Sequence, residues 1–217
     1  MNQSAELAKT KEALITNTTT LKNQLADLAD IKRALYEAEA KEMKGVKAQN
    51  LKNIKSFYSK NETDTVIAFL LNSLTKFFTG KDNTNYGEHG AEFFKTVDEF
   101  QQTVRKVNHA ALDKKTIEEM MIKMCGGKEA DGGEITKLMC QEENLRKYLD
   151  FFAFFKTLSK MCHLAMTERK GNVIKKKIVH HEEEIHKSTN SIEQNKKLCE
   201  ALTFYKQIDE EINRLKD

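Results

Sequence analysis

The sequence predicts an all-α fold, an elongated antiparallel bundle of three to four long helices. Three observations support this prediction. The 217 residues include no proline, which would interrupt a long helix by removing a hydrogen-bond donor and clashing with the preceding turn. Charged residues make up 32% of the chain, as is typical of coiled coils and long exposed helices. Apolar residues recur every seven positions near both ends of the chain.

The first repeat consists of Leu7, Leu14, Leu21, Leu28 and Leu35, and the last of Ile178, Ile185, Ile192 and Cys199. A seven-residue repeat marks the face by which two helices pack. Three residues after each repeat position the side chain is mostly polar, namely Thr10, Asn17 and Gln24 in the first run and His181, Ser188 and Asn195 in the last. We therefore expect the first and last helices to pair antiparallel, as in a coiled coil with a half-polar interface.

The first half of the chain is expected to form a long helix over 3–58, with Gly45 as a bend or close contact. Thr63 or Asp64 is expected to cap the apolar second helix, about 64–79, through its side-chain oxygen. Helical spacing then extends from Phe93 to about 109, and Asp113 is expected to cap a short helix that ends near 125. These helices, 64–125, make the second leg of the bundle.

The second half is expected to form a helix over 133–170 and a last helix over 172–216. Gly171 suits the left-handed position that closes a helix, so we expect the chain to reverse there. The alternative is one helix that continues through Gly171, which leaves three legs instead of four. In both arrangements residues 1–217 form a single elongated domain.

The four cysteines allow three complete pairings. Cys125 and Cys140 are equally far from the predicted turn at 132–133, so we expect them to face each other and form a disulfide. Cys162 and Cys199 are expected to be buried thiols, with a second bond left open. A disulfide favours a secreted or cell-surface protein, whereas four free thiols after production under oxidising conditions would favour an intracellular one.

Catalytic and metal sites are not indicated. Glu183 and His186 form the Glu-x-x-His pattern of di-iron helix bundles, but no second copy of the pattern exists. His181 and His186 are five apart, where the zinc-protease motif requires four. A solvated helix face explains this segment better, since lysines and glutamates pair at helical spacing. We predict no metal, no cofactor and no enzymatic activity.

Charge and hydropathy also limit the functions and cellular locations to be expected. A net charge of +3 is too small to indicate nucleic-acid binding. No run reaches eighteen apolar residues, and the polar start lacks the core of a secretory signal, so we expect a cytosolic protein or the mature part of a secreted one. Three glycosylation sequons, about the number expected by chance, leave glycosylation open; they begin at Asn2, Asn17 and Asn61.

Two further clusters have a functional and a structural interpretation. Arg169, Lys170 and the lysines 175–177 would form a basic tip at the predicted turn, and a solvated helix end is the simpler explanation. Tyr148 is followed by four phenylalanines within 151–155, which suit a helix buried on several sides. Because these phenylalanines cover more than one helix face, at least one should point away from the core.

The sequence therefore predicts a non-enzymatic, secreted or surface-exposed helical protein that binds a protein partner. The alternatives are an intracellular coiled-coil adaptor and a membrane-active, pore-forming or lipid-binding bundle that stores an apolar segment at 66–78 or 148–158. A homodimer is left open. Because loops on a rigid scaffold often carry recognition, the expected contact residues lie in two irregular loops: Asp82, Asn83, Asn85, Tyr86, His89, Lys128 and Glu129.

Overall fold

The computed structural model describes residues 2–59, 64–80, 93–126 and 132–214. Within these ranges every regular element is a helix, which confirms the all-α prediction. The helices are α1 (Asn2–Met43), α2 (Ala48–Ser59), α3 (Thr65–Thr79), α4 (Val97–Arg105), α5 (Lys114–Cys125), α6 (Glu134–Met139), α7 (Glu142–Tyr148) and α8 (Phe152–Arg214), with a 3-10 turn at Leu149–Phe151 before α8.

The chain divides into two compact units. The helix-pair unit consists of Met1–Asp27 and Gly171–Asp217, and the core unit consists of Leu28–Lys170. Helices α1 and α8 each contribute a segment to both units, whereas α2 to α7 belong to the core unit alone. The single-domain expectation stays a prediction.

The core unit is organised around the apolar helix α3, whose predicted bounds are confirmed. Val66, Ile67, Leu70, Leu71 and Leu74 are at most 1% exposed. Three phenylalanine rings from different segments also meet there: Phe94 stacks on Phe100 at 5.6 Å between centroids, and Phe154 meets Phe100 edge-on at 5.2 Å. Such aromatic pairs add roughly 0.5–1.5 kcal/mol beyond their buried area. Most of the buried apolar residues of the described chain therefore lie in this unit.

Asp64 anchors the start of α3, as the capping prediction required. Its carboxylate accepts hydrogen bonds from the N–H groups of Val66 (2.9 Å) and Ile67 (3.1 Å). The same carboxylate accepts one from the Tyr148 hydroxyl (2.9 Å) and pairs with Lys147 at 2.5 Å. Burial alone would raise the pKa of Asp64, but these donors outweigh burial and hold it below the usual value of 3.8. Asp64 thus links α3 to α7.

The expected single helix over 3–58 is wrong, because α1 ends at Met43 and α2 begins at Ala48. The chain bends at Gly45, where an added Cβ would lie 3.1 Å from the Glu42 carbonyl oxygen and 3.4 Å from the Ala153 Cβ. After the bend, the Asn50 side chain donates to the Asp150 carbonyl at 2.8 Å, and the Asn53 side chain reaches the Asp150 carboxylate at 2.5 Å. The break therefore lets α2 pack beside the start of α8.

The expected helix over 133–170 is also interrupted, since α6 ends at Met139 and α7 begins at Glu142. Gln141 is extended, with φ −62° and ψ 135°. The Asn144 side chain donates to the Leu138 carbonyl at 3.1 Å, which satisfies an acceptor left free at the end of α6. Short polar side chains that bond the backbone in this way compete with a continuous helix.

The chain does not reverse at Gly171, so the alternative of one continuous helix is the arrangement the structure adopts. Helix α8 runs without a break over Phe152–Arg214, and Gly171 has no positive φ, unlike Gly80, Gly126 and Gly132. The predicted basic tip at a turn is consequently wrong. Arg169 instead lies within the helix, where its guanidinium donates to the Ala110 carbonyl at 3.2 Å.

In the helix-pair unit, α1 packs antiparallel against α8. Lys22 pairs with Glu182 at 2.7 Å, and a Cβ on Gly171 would lie 3.7 Å from the Leu25 side chain. The numbers of two residues that face each other in this pair thus add up to about 200. The start of α1, at Asn2, therefore lies level with about residue 198 of α8. Few side chains of this unit are deeply buried: Thr18 at 5%, Ile174 at 6% and Ile178 at 8% exposed.

The packed face of α1 differs from the expected one. Leu7, Leu14, Leu21, Leu28 and Leu35 are half-buried, but Thr10, Asn17 and Gln24 are exposed. The partly or fully buried positions between the leucines come four residues after each one, at Lys11, Thr18, Leu25, Lys32 and Glu39. In α8 the spacing is as predicted through Ile178, His181, Ile185, Ser188, Ile192 and Asn195, but Cys199 is exposed.

We expect Gly171→Ala to stabilise the protein by about 1 kcal/mol, since alanine is the better helix former and its methyl fits against Leu25. Gly133→Ala serves as the contrast, because its Cβ would fall on the Lys123 carbonyl. That overlap should cost about 1–3 kcal/mol. Urea unfolding followed by circular dichroism measures both changes. A destabilised Gly171→Ala variant would contradict the continuous helix.

We expect Asp64→Asn to cost about 1–2 kcal/mol at pH 7, since asparagine keeps the cap but loses the charge that Lys147 and Tyr148 contact. The folded pKa of Asp64 is lowered, so its stabilisation is complete well above pH 3.8 and declines as the pH falls through the folded pKa. The difference from wild type, measured by urea unfolding between pH 7 and pH 3, should shrink with acidification. A pH-independent difference would refute the charge argument. Asp27→Asn, on an exposed position of α1, is the control.

Candidate functional site

The loop residues expected to contact a partner lie outside the described residues. They are Asp82, Asn83, Asn85, Tyr86, His89, Lys128 and Glu129. Their role stays a prediction, and the candidate sites below come from other parts of the chain.

The predicted Cys125–Cys140 disulfide is not formed, and all four cysteines are free. The Met124 carbonyl accepts hydrogen bonds from the Gly133 N–H (3.1 Å) and from the Thr136 hydroxyl, so Cys125 lies level with the start of α6. Cys140 follows the other end of this six-residue helix, about 9 Å farther along its axis. That offset exceeds the Cα separation of about 7 Å that a disulfide tolerates.

The two remaining cysteines differ in exposure. Cys162 is fully buried, as expected, whereas Cys199 is exposed and not the buried thiol predicted from its place in the repeat. Burial, and to a lesser extent the neighbouring Cys125, raises the pKa of the Cys162 thiol far above its usual range. A thiol held protonated in this way is a poor nucleophile. Cys162 therefore acts as a small apolar core residue.

The segment around Glu183 and His186 is an exposed charged stretch of helix. Glu184 pairs with Lys187 at 2.8 Å, and the hydrogen bond from that lysine is the main cause of the lowered pKa of Glu184. His186 lies 3.2 Å from the Asn190 side-chain nitrogen. Over the described residues, no three His, Cys, Asp or Glu side chains come together as metal ligands.

Of the four clustered phenylalanines, three are buried and one is not. Phe151, Phe154 and Phe155 are at most 8% exposed, whereas Phe152 is 47% exposed, which confirms that one ring points away from the core. The Lys156 ammonium lies 5.2 Å from the Phe152 ring centroid, a cation–π contact on the surface. The cluster is thus mostly core, and its exposed member contacts a lysine.

A buried acid–histidine pair is the least expected polar feature of the core unit. Glu39 of α1 and His109, in the segment between α4 and α5, are each 2% exposed, and His109 Nε2 lies 3.4 Å from Glu39 Oε1. Neither of these two atoms makes a hydrogen bond to the described part of the chain. Tyr36 meets the His109 ring edge-on at 5.8 Å between centroids, and Phe77 lies 6.5 Å away.

A second, more exposed layer of charges surrounds this pair. Glu168 of α8 pairs with Lys32 at 2.5 Å and accepts a hydrogen bond from the Tyr36 hydroxyl at 3.2 Å. The bond to Glu168 raises the pKa of Lys32, and burial, with the Glu168 charge, raises that of Tyr36. The Arg169 Nε atom is buried without a hydrogen-bond partner among the described residues. The polar cluster, formed by Lys32, Tyr36, Glu39, His109, Glu168 and Arg169, thus joins α1, α8 and the segment after α4.

The polar cluster is better suited to positioning helices than to chemistry. Glu39 and His109 expose too little surface for a substrate to reach them, and a buried pair of this kind costs desolvation unless its geometry is good. The positions three residues after each leucine, at Thr10, Asn17 and Gln24, give no sign of this cluster. The position four residues after contains Lys32 and Glu39, two charges on a packed face, which is the signal that identifies the cluster.

An exposed apolar surface occupies the last turns of α8. Every residue over 196–211 is exposed, including Leu198 at 61%, Leu202 at 54%, Phe204 at 61%, Tyr205 at 68% and Ile208 at 40%. At 3.6 residues per turn these five side chains and Ala201 cover roughly 160° of the helix circumference. We call this surface the α8 face. An apolar stripe of this width normally faces a core, so the α8 face is the strongest candidate for an interaction site.

Comparison with known proteins adds no family. No family model matches the chain, and neither a curated protein nor a solved structure matches it significantly. Separately, no helix in the described part of the chain combines the length and the apolar character that crossing a membrane requires.

We expect replacement of one member of the buried pair, by Glu39→Met or His109→Leu, to cost about 3–5 kcal/mol, because the other member is left buried without its partner. The double variant should cost clearly less than the sum of the two single costs. Urea unfolding of all four proteins measures this coupling, with Glu37→Met on the exposed side of α1 as the control. Additive costs would show that the two side chains do not stabilise each other.

Proposed function

We propose that the protein is a non-enzymatic interaction protein that binds a protein partner through the α8 face. The observation that carries the proposal is the exposure of a wide, continuous apolar stripe on one helix, at Leu198, Leu202, Tyr205 and their neighbours. Exposed apolar stripes on helices are used in recognition by coiled-coil pairing or by docking into a groove. Burying the stripe removes apolar surface from water, which is the main driving force of such association.

In this proposal α1 and α8 form an antiparallel, coiled-coil-like pair within an elongated bundle, and the pair holds the α8 face in helical form before binding. The antiparallel contacts of Lys22 with Glu182 and of Leu25 at Gly171 support this pairing. Isolated short helices are marginal in water, so continuity with the paired part of α8 lowers the entropy cost of ordering the face.

The location of the protein stays a prediction. The secreted or cell-surface expectation rested on the Cys125–Cys140 bond, which the structure does not form. Four free thiols are as compatible with an intracellular coiled-coil adaptor as with a secreted protein. The proposed binding mode is the same inside and outside the cell. The burial of Val66, Leu70 and Leu74 is compatible with a stored apolar segment as well as with an ordinary core, so it does not separate the membrane-active alternative from an interaction protein.

We expect a photoreactive phenylalanine analogue at Phe204 or Tyr205 to form a protein adduct in the cells that produce the protein. The same analogue at Thr203 or Glu210, which lie on the side of α8 opposite the centre of the face, is the matched control and should yield several-fold less adduct. Both aromatic positions keep nearly the same shape, so the fold is undisturbed. Denaturing electrophoresis after irradiation measures the yield. Equal yields at all four positions, or none, would refute the proposal.

A further inference from the structure

We infer that the partner of the α8 face is a second copy of the same chain, bound antiparallel through the same face. This inference rests on the proposed function, because it names the partner of that site. It is carried by the distribution of charge along the exposed part of α8 and by the spacing of its apolar residues.

The charges at the two ends of the α8 face are opposite in sign. Lys197 lies on the edge of the face where the face begins, and Glu211 lies on the same edge at the far end. Two copies aligned in parallel would place Lys197 level with Lys197 of the second copy and Glu211 level with Glu211 of the second copy. Two antiparallel copies place Lys197 of each beside Glu211 of the other, and this occurs twice because the arrangement is two-fold symmetric. The charge pattern therefore favours the antiparallel pair and disfavours the parallel one.

The apolar residues match in the same alignment. Leu198, Ala201, Tyr205 and Ile208 follow the alternating spacing of three and four that packs two helices together. With the two-fold axis near residues 203–204, Leu198 packs against Ile208 of the second copy, and Ala201 packs against Tyr205 of the second copy. In the layer of Ala201 and Tyr205, a small residue opposite a large one fills the space without a void.

The flanking residues agree with this register. Phe204, Lys197 and Glu211 are seven residues apart and lie along one edge of the α8 face. Near the axis, Phe204 meets Phe204 of the second copy. At the ends of the pair, Lys197 meets Glu211 of the second copy, the type of edge contact that sets orientation in paired helices.

The existing contacts of Lys197 do not prevent this exchange. Lys197 pairs with Glu193 of the same helix at 3.1 Å, but the two side chains are 72% and 62% exposed. A pair this exposed contributes little, so the ammonium can turn at little cost to Glu211 of the second copy, whose own interaction within its chain is likewise at an exposed position. The dimer is expected to be weak, with a Kd on the order of 10 µM, because one short helix pair buries less area than a standard interface.

Charge reversal tests the inference directly. The basic-end variant Lys197→Glu has acids at both ends of the face edge, and the acidic-end variant Glu211→Lys has lysines at both ends. Each alone should self-associate at least about tenfold more weakly than wild type, since like charges then oppose each other at both ends. An equimolar mixture of the two should form a heterodimer at least as tight as the wild-type dimer. Sedimentation velocity on the full chain, from about 1 to 200 µM, measures all three cases.

The outcomes separate this inference from the proposed function. Weakened self-association of each variant and its recovery in the mixture would support the antiparallel copy. A monomeric wild-type chain up to about 200 µM, or a dimer indifferent to both charge reversals, would overturn it. Adducts at Phe204 and Tyr205 that contain only a different protein would overturn the second copy but leave the proposed function in place. Binding of a monomeric chain to phosphatidylcholine–phosphatidylserine vesicles through the face would overturn it as well.

Discussion

The spacing of packed positions on α1 is the constraint on which the contact with α8 depends. Half-buried leucines every seven residues alternate with the positions four residues later, and both sets must face α8 at once. In the helix-pair unit this second set includes Thr18 and Leu25. On α8, the partly or fully buried positions of this unit include Gly171, His181 and Ser188. The contact is therefore thin and partly polar, and Lys22 with Glu182 adds only an exposed ion pair.

In the core unit, the same spacing places charged side chains on the packed face of α1. There the second set of α1 positions holds Lys32 and Glu39, and the packed surroundings supply Glu168 and His109 as partners. Buried ionic groups rarely add stability in proportion to their number, but each one accepts only a limited set of neighbours. The polar cluster thus restricts which residues of α8 and of the segment after α4 can lie against this part of α1.

Local sequence rules predicted the helices where a single residue decides the outcome. Asp64 and Asp113 cap helices as expected, because a carboxylate at that position satisfies free N–H groups whatever the tertiary context.

Rules that depend on packing failed. Gly171 continues a helix because glycine tolerates both outcomes, and only the contact with Leu25 distinguishes them. Cys125 lies level with the start of α6 and Cys140 follows its end, an offset that the positions of the glycines did not indicate. The apolar spacing of the α8 face can be read from the sequence. Its exposure could not be predicted, because exposure depends on where α1 starts relative to α8.

The division of buried residues between the two units also has a consequence for folding order. Pairing the start of α1 with residues near 198 directly would close a loop of nearly the whole chain, which is entropically unfavourable and slow. The core unit holds most of the buried apolar surface and includes the chain segments next to Asp27 and Gly171. Once it has formed, the two segments of the helix-pair unit start from nearby anchor points, and their remaining search is short. Folding of the core unit first, followed by zipping of α1 onto α8 towards the chain ends, is the order that this distribution favours.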